Sequence, residues 1–217
     1  MRLLLAGGTG LIGGEVLRLG LKNGHEIMTV GRRPTGMASS EVVSSFDDLP
    51  QLPPADIAIC ALGTTIRQAG TQAAFRAIDE KAVSSFAKAA KAAGVDHFLV
   101  VTAVGANPDA SIFYSRVKGQ TEDQLMMMGF TRLDIIRPGL LLGDRKERRP
   151  IEVLLQHIAP ATDLLMRGKW RRYRSVQAAD AAHCLLRLAA SNEPGVYIHH
   201  FDDIMKVLQS PLQDVTK

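Results

Sequence analysis

The most constraining feature of the sequence is an apolar run near the N-terminus that leads directly into a glycine-rich turn. Residues 2–6 read Arg-Leu-Leu-Leu-Ala, and the continuous apolar run Leu3-Leu4-Leu5 is typical of a parallel strand that is covered on both faces. Gly7, Gly10 and Gly13 follow in a G-x-x-G-x-x-G spacing, and a helical apolar pattern starts at Leu11. This succession of strand, tight turn and helix predicts the beginning of an α/β fold.

The glycine turn also predicts a binding site for an anionic ligand. Glycine has no Cβ atom, so a ligand can approach the backbone closely at such a turn. The first turn of the following helix has unpaired backbone N–H groups and a partial positive charge, which suit a pyrophosphate. The alternative is an ordinary strand-to-helix turn without a ligand. On the first interpretation, a dinucleotide is bound by Gly7, Thr9, Gly10, Leu11, Ile12 and Gly13.

The residues after the second predicted strand, 25–30, indicate which dinucleotide is preferred. Sites for NAD usually have an acidic side chain there, which bonds the 2′-hydroxyl of the adenosine ribose. This chain instead has Gly31 followed by Arg32 and Arg33. Because guanidinium groups form charge-assisted hydrogen bonds with phosphate, the pair favours the 2′-phosphate of NADP(H). The alternative is two solvated arginines that bind nothing.

The rest of the chain alternates between short apolar strand patterns and longer helical patterns. Further strands are predicted at residues 55–62, 95–101, 133–136 and 196–199, and further helices at 71–93, 111–128, 176–188 and 202–208. Asp109 or Ser111 is the expected cap of the helix over 111–128. This alternation predicts a doubly wound parallel sheet, a Rossmann-like α/β fold. We expect residues 1–217 to form a single domain with a small C-terminal region on the substrate side.

Basic charge is concentrated in residues 144–174, which we interpret as an insertion on the substrate side. The segment has nine Lys or Arg and four Asp or Glu, a net charge of +5, whereas the whole chain carries +4. Its clusters are residues 145–149 and 167–174. An anionic substrate, an acidic protein or nucleic-acid phosphates would each suit this charge, and the alternative is a solvated face. Nucleic acid is the least favoured ligand because the charge forms one short patch.

Several classes of protein are not indicated by the sequence. No apolar run is long enough to span a bilayer, and the N-terminus does not resemble a cleaved signal peptide. We therefore expect a cytoplasmic protein without a membrane partner. Cys60 and Cys184 lie far apart in apolar surroundings, so we interpret them as buried free thiols. The six histidines form no metal-binding pattern, so no metal site is predicted.

Tyr114 and Lys118 are candidates for proton-transfer chemistry. Their spacing of four residues places both side chains on one face of the helix predicted over 111–128. A free phenol ionises only near pH ~10, and a neighbouring ammonium favours its ionised form. Tyr114 would then protonate the alkoxide that forms when a carbonyl is reduced. The alternative is a chance pair on a surface helix, and Asp79 and Lys81 are interpreted as solvated helix residues.

Six stretches of the chain together resemble the short-chain dehydrogenase/reductase superfamily, in its extended or atypical branch. These stretches are residues 7–13, 31–33, 62–65, 114–118, 137–139 and 176–182. Within that branch the chain is most similar to the Tat-interacting oxidoreductase group, on CALGTTIRQAG at residues 60–70 and RPGLLLGDRKERRP at residues 137–150. The resemblance implies a Rossmann-like fold that binds NADPH.

The same resemblance implies roles for individual residues. Tyr114 would be the catalytic acid or base, and Lys118 would bind the nicotinamide ribose while making the phenol more acidic. Where the superfamily has a substrate-binding serine, this chain reads Thr102-Ala103, so Thr102 is the expected catalytic hydroxyl. Further cofactor contacts are expected from Leu62, Gly63, Thr64, Thr65 and Pro138.

Two hypotheses from different classes follow from these features. The favoured one is a cytoplasmic NADP(H)-dependent oxidoreductase that transfers hydride between the nicotinamide and a small carbonyl or alcohol substrate. The alternative is a catalytically weak or inactive NADPH-binding regulatory protein, which docks a protein partner through its basic segment. A homo-oligomer is compatible with both.

Overall fold

The computed structural model describes residues 1–38, 40–143, 163 and 166–210. The first elements are β1 Arg2–Ala6, α1 Leu11–Lys22, β2 Glu26–Gly31, β3 Ser40–Val43, β4 Ile57–Cys60, α2 Ile66–Ala69, α3 Gln72–Arg76, a π-helical section Ala77–Ala82 and α4 Val83–Ala92. They are followed by β5 His97–Val101, α5 Phe113–Met126, β6 Arg132–Ile136, β7 Leu141–Leu142, a 3₁₀ helix Gly168–Tyr173, β8 Val176–Gln177, α6 Ala178–Leu188, β9 Gly195–His199 and α7 Phe201–Gln209.

Seven of these strands form one sheet in the order β3-β2-β1-β4-β5-β6-β9, and β7 and β8 form a separate pair. Every neighbouring pair in the larger sheet is parallel. The chain builds outward from β1 to β3 and then returns to the other side of β1 with β4. Such a reversal is the point at which α/β sheets bind ligands. The predicted doubly wound, Rossmann-like sheet is therefore confirmed.

Strand β1 shows why its sequence is continuously apolar. Successive side chains of a strand point to opposite faces of the sheet. Leu3 and Leu5 belong to a core with α1, α6 and α7 on one face. Leu4 and Ala6 belong to a core with α4 and α5 on the other face. Because both faces are covered, a polar residue would be unfavourable at any of these positions.

Two helix starts differ from the sequence predictions. The helix predicted from residue 111 begins at Phe113, and neither Asp109 nor Ser111 caps it, because the N-cap is Ile112 without a side-chain hydrogen bond. The helix predicted from residue 176 begins two residues later. Residues 176–177 pair with β7 instead and form β8. In the second case pairing with β7, which lies far away in the chain, determines the boundary.

Both cysteines are buried and free, as predicted. Burial raises the pKa of the Cys60 thiol to about 12, and it does the same for Cys184. The two thiols are therefore protonated at neutral pH and are poor nucleophiles.

Part of the basic segment lies against the loop that follows β6. The structure describes residues 163 and 166–174 of this segment, whereas its first cluster, residues 145–149, lies outside the described residues. A Cβ atom at Gly139 would lie 2.4 Å from a backbone oxygen of Tyr173. The described part of the segment thus packs at the carboxyl end of the sheet.

Candidate functional site

The turn between β1 and α1 is so tight that side chains are excluded at two positions. Gly7 has a φ of 88°, a conformation that L side chains rarely adopt, and a Cβ atom there would lie 2.6 Å from the backbone of Ala61. A Cβ atom at Gly13 would lie 2.1 Å from the carbonyl oxygen of Gly7. The N–H of Gly10 donates to that same oxygen at 2.8 Å. The predicted glycines therefore allow α1 to start directly against β1 and β4.

Helix α1 presents an N-terminus without a side-chain cap. Its N-cap is Gly10, and no acidic side chain lies in its first turn. The first amide to bond back along the helix is that of Gly14, which donates to Gly10. Helix geometry therefore leaves the N–H groups of Leu11, Ile12 and Gly13 without intrahelical partners. Free N–H groups at the positive end of a helix dipole are an arrangement that suits an anion.

A cleft extends from the glycine turn to the end of β2. Its lining includes Thr9, Arg32, Arg33, Thr35 and Leu62. Both arginines are exposed, and neither forms a hydrogen bond or ion pair with another residue in the described ranges. Their guanidinium groups are therefore available to a phosphate at the end of β2.

Glu41 on β3 holds the loop after these arginines, a role that the sequence did not indicate. Its carboxylate accepts the N–H groups of Thr35 at 2.9 Å and Gly36 at 3.0 Å, and also the Thr35 hydroxyl. The bond from the Thr35 hydroxyl is the main reason that the pKa of Glu41 lies below its usual value. One wall of the cleft is thus held by an ionised side chain at neutral pH.

Lys118 on α5 is buried, with 4% of the residue exposed. Its Nζ lies 2.7 Å from Oδ1 of Asp79 in the π-helical section. The other carboxylate oxygen, Oδ2, accepts the N–H of Thr64 in the turn after β4 at 2.9 Å. Asp79 is fully buried, so its interpretation as a solvated residue is wrong. The helical pattern alone could not reveal this, because the partners lie on other elements.

Tyr114 precedes Lys118 by one helical turn on α5, and its ring packs against Phe75 with centroids 5.4 Å apart. Burial would lower the pKa of the Lys118 ammonium. The charge of Asp79 and, less strongly, the phenol of Tyr114 outweigh this effect, so the pKa of Lys118 lies above its usual value. The lysine therefore stays charged at neutral pH in the neighbourhood of the tyrosine.

Thr102, the predicted substitute for the substrate-binding serine, is buried after β5. Its hydroxyl donates to Oε1 of Glu122 at 2.5 Å. Glu122 also accepts Nε of Arg137, at 3.0 Å and 3.2 Å for its two oxygens. The hydroxyl proton that a substrate carbonyl would accept is thus engaged inside the protein. In this arrangement Thr102 does not present the donor that the resemblance led us to expect.

The turn after β4 passes beside the lysine. A Cβ atom at Gly63 would lie 3.5 Å from Oδ1 of Asp79 and 3.7 Å from Nζ of Lys118. Leu62, immediately before it, lines the cleft. The turn therefore connects the cleft at the end of β2 with the ion pair beneath α5.

Two other predicted cofactor contacts have structural roles as well. The hydroxyl of Thr65 caps α2 by accepting the N–H of Gln68 at 3.1 Å. The carbonyl of Pro138 accepts the N–H of Val104 at 2.9 Å, which ties the loops after β5 and β6 together. Both residues lie beyond the carboxyl ends of their strands, on the side of the sheet where the cleft opens.

The sheet order and the glycine turn define the class of protein: it has a Rossmann-like, doubly wound α/β fold. UDP-N-acetylglucosamine 4-epimerase from Bacillus cereus has the same fold, with a TM-score of 0.71 and 17% identity over 95% of this chain and 82% of that one. The human epimerase family protein SDR39U1, solved with NADPH, has a TM-score of 0.68 and 23% identity over 92% and 74%. No family model matches the chain.

Sequence similarity identifies the family within this class. The chain is 36% identical to mitochondrial protein FMP52 of Meyerozyma guilliermondii over 67% of each chain. It is 30% identical to mitochondrial protein fmp52-1 of Aspergillus terreus over 94% of this chain and 97% of that one. It is also 38% identical to protein HTATIP2 of Rattus norvegicus over 60% and 55%. The chain belongs to the FMP52 family, and the resemblance to the Tat-interacting group is confirmed.

The expected cytoplasmic location is wrong. The FMP52 relatives carry mitochondrial location in their names. The prediction relied on the lack of a spanning segment and of a secretory signal, and neither feature distinguishes the cytoplasm from mitochondria. Across the described residues, no helix has both the length and the apolar character needed to cross a membrane.

Proposed function

We propose that this protein binds NADP(H) and transfers hydride between the nicotinamide and a small carbonyl or alcohol substrate. The observation that carries the proposal is the uncapped glycine turn, joined by a cleft to Arg32 and Arg33, which have no side-chain partner among the described residues. Main-chain amides suit a pyrophosphate, and guanidinium groups suit a 2′-phosphate. Solved structures with this fold include complexes with NADPH and with NAD, so the preference here depends on Arg32 and Arg33.

The residues present fit such a dinucleotide. The glycine turn leaves the space that Cβ atoms would fill, and no side chain caps the helix behind it. Lys118 would bind the nicotinamide ribose, and Arg32 and Arg33 would bind the 2′-phosphate. The remaining proposed contacts come from Gly7, Thr9, Gly10, Leu11, Ile12, Gly13, Leu62, Gly63, Thr64, Thr65 and Pro138.

Bound NADPH would supply the hydride, and the chain itself provides the proton. Tyr114 donates its phenolic proton to the substrate oxygen as the carbonyl is reduced. Lys118, buried and charged one turn away, stabilises the phenolate that is left. Because the Thr102 hydroxyl donates a hydrogen bond to Glu122, we assign proton transfer to Tyr114 alone, without a second hydroxyl from Thr102.

The second candidate is an NADPH-binding regulatory protein that docks a protein partner. Two observations favour it: the engaged hydroxyl of Thr102, and an exposed basic and aromatic surface on the 3₁₀ helix. In that helix Trp170 is 59% exposed, and its ring lies 5.8 Å from that of Tyr173. Such a protein would bind NADPH without turning over a substrate.

Calorimetric titration with NADPH and NADH tests the cofactor proposal. We expect the Kd for NADPH to be at least about tenfold lower than the Kd for NADH, since hydrogen bonds to charged groups contribute about 1.5–3 kcal/mol each. The Arg32→Ala/Arg33→Ala variant should lose this difference and keep its affinity for NADH. Arg18→Ala is the matched control, because Arg18 is exposed and pairs with Glu15. Equal affinities of the wild type for both nucleotides would contradict the proposal.

A reductase screen separates the two candidate functions. Aldehydes, ketones and enones are offered together with NADPH, and oxidation of the nucleotide is followed by absorbance. Turnover of any substrate supports the oxidoreductase. Tight NADPH binding with no turnover across the screen supports the regulatory protein.

A further inference from the structure

Asp79 makes three polar contacts, which join it to α5 and to the turn after β4. Its Oδ1 lies 2.7 Å from Nζ of Lys118, and its Oδ2 accepts the N–H of Thr64 at 2.9 Å. Its backbone carbonyl accepts the hydroxyl of Thr121 on α5 at 2.9 Å. One buried residue thereby joins the π-helical section to α5 at two points and to the turn after β4 at a third.

The position of Asp79 in the helix is itself unusual. It lies in the π-helical section Ala77–Ala82, between two α-helical stretches. Such sections are rare, and they occur frequently at functional sites. A buried ion pair also contributes little net stability, because both charges lose their hydration. The pair of Asp79 with Lys118 therefore calls for a reason beyond packing.

The surroundings of Lys118 indicate that reason. The titratable groups that face its ammonium are Asp79 from the π-helical section, Tyr114 from its own helix and Cys60 from β4. An ammonium has three N–H groups, and within the described ranges Asp79 is the ionic partner of Nζ. The turn at Gly63 passes beside it, since a Cβ atom there would lie 3.7 Å from Nζ. The lysine therefore has N–H groups to offer a ligand hydroxyl at this turn.

We propose that Asp79 is the positioning residue of this site: it holds the ammonium of Lys118 between Tyr114 and the turn after β4. In that position the ammonium of Lys118 can contact both a ribose hydroxyl of the nucleotide and the phenol of Tyr114. The identity of that hydroxyl rests on the proposed function, whereas the placement of Lys118 by Asp79 does not. Without the carboxylate, the ammonium would remain desolvated and would lose its counter-charge.

The test is the pKa of Lys118, measured by NMR titration of lysine side-chain signals in the full chain and assigned with Lys118→Arg. Asp79→Asn keeps an acceptor for the Thr64 amide and removes the charge. We expect it to lower the pKa of Lys118 by about 2 units or more, because burial then acts alone. Glu80→Gln is the matched control, since Glu80 lies in the same section and pairs with Arg76; it should leave Lys118 unchanged.

Two results would overturn the proposal. One is a Lys118 pKa that is the same in Asp79→Asn and in the wild type. The other is a wild-type Lys118 pKa at or below the ordinary lysine value of about 10.4, which needs no Asp79 variant and so decides the matter even if Asp79→Asn does not fold. Asp79→Glu should restore a raised value.

NADPH titration of the same samples distinguishes this proposal from the proposed function. If Asp79→Asn lowers the pKa of Lys118 while the wild-type protein binds no NADPH, the positioning role is supported and the oxidoreductase is rejected. An unchanged Lys118 pKa, in a protein that reduces carbonyls through Tyr114, rejects the positioning role and retains the enzyme. With a known substrate, Asp79→Asn should also lower kcat at neutral pH by about tenfold or more.

Discussion

The nucleotide side and the proton-transfer side of the candidate site are built in opposite ways. On the proposed nucleotide side, around β1, α1 and β2, the groups available to a ligand are main-chain amides and exposed arginines within residues 7–33. On the proton-transfer side, around α5, the groups are buried charges paired with residues of other elements. Dipoles of the main chain hold an anion without help from distant residues. A buried charge requires a partner, and only the folded chain supplies one.

The same contrast extends into the sheet beneath α6 and α7. Asp134 of β6 is fully buried. It accepts Nε of Arg132 at 2.6 Å, and Nε2 of His97 and of His199 lies 2.7 Å from its carboxylate oxygens. Three neighbouring strands thus share one carboxylate. This half of the sheet therefore contains a buried charge network within its apolar core, whereas the half around β1 is apolar on both faces.

The largest effect that would sharpen this contrast is expected for Tyr114→Phe. Removing the phenolic hydroxyl should lower carbonyl reduction by about 10²–10⁴-fold and leave NADPH affinity unchanged, because the phenol of Tyr114 is not among the proposed nucleotide contacts. Stopped-flow or steady-state oxidation of NADPH gives the rate, and calorimetry gives the affinity. Tyr197→Phe is the control, since that hydroxyl donates to Pro194 at the sheet edge. An unchanged rate in Tyr114→Phe would remove this residue from the mechanism.

A second large effect is expected for Asp134→Asn. Removing one partner of a buried charge network costs about 3–5 kcal/mol in the free energy of unfolding, measurable by urea denaturation at neutral pH. Asp96→Asn is the control: its carboxylate is 70% exposed and pairs with Lys91, so a change of at most about 1 kcal/mol is expected. Similar losses in both variants would show that burial does not distinguish the two carboxylates.

The pH dependence of stability supplies an independent measurement at Asp134. Burial would raise the pKa of this carboxyl, but hydrogen bonds from His199, His97 and Arg132 outweigh it and hold the pKa well below its usual value. A lowered folded-state pKa contributes stability above the unfolded value of about 3.9, and this contribution is lost as the pH falls further. Urea denaturation should therefore show a steeper loss below about pH 4 in the wild type than in Asp134→Asn.

The smallest of these effects concerns the glycine turn, and two adjacent glycines test it. A Cβ atom at Gly13 would lie 2.1 Å from the backbone of Gly7, whereas one at Gly14 would lie 3.5 Å from that of Gly8. Gly13→Ala should cost about 1–3 kcal/mol of stability through overpacking and weaken NADPH binding by about tenfold. Gly14→Ala should bind NADPH normally, and its free energy of unfolding should rise by about 0.5–1 kcal/mol, since alanine favours the helix. Identical behaviour of the two variants would show that the turn does not determine nucleotide binding.

Several side-chain roles were not readable from the sequence because their partners lie on other elements. Asp79 has the sequence pattern of an exposed helix residue, yet it pairs with Lys118 of α5. Thr102 lies where a catalytic hydroxyl was expected, and its hydroxyl donates a hydrogen bond to Glu122 of α5. The sequence did not indicate that the loop at Thr35 is held by Glu41, whose carboxylate accepts its N–H from β3.

Local sequence was sufficient to predict the strands of the sheet, the glycine turn and the position of the arginines after β2, because apolar patterns, main-chain dipoles and helix spacing are set by residues close together in the chain. The Tyr114–Lys118 pair was visible for the same reason. The counter-charges of Lys118, Glu122 and Asp134 became apparent in the folded chain. Their pairing is a response to desolvation, and desolvation exists only after elements from separate parts of the sequence have packed together.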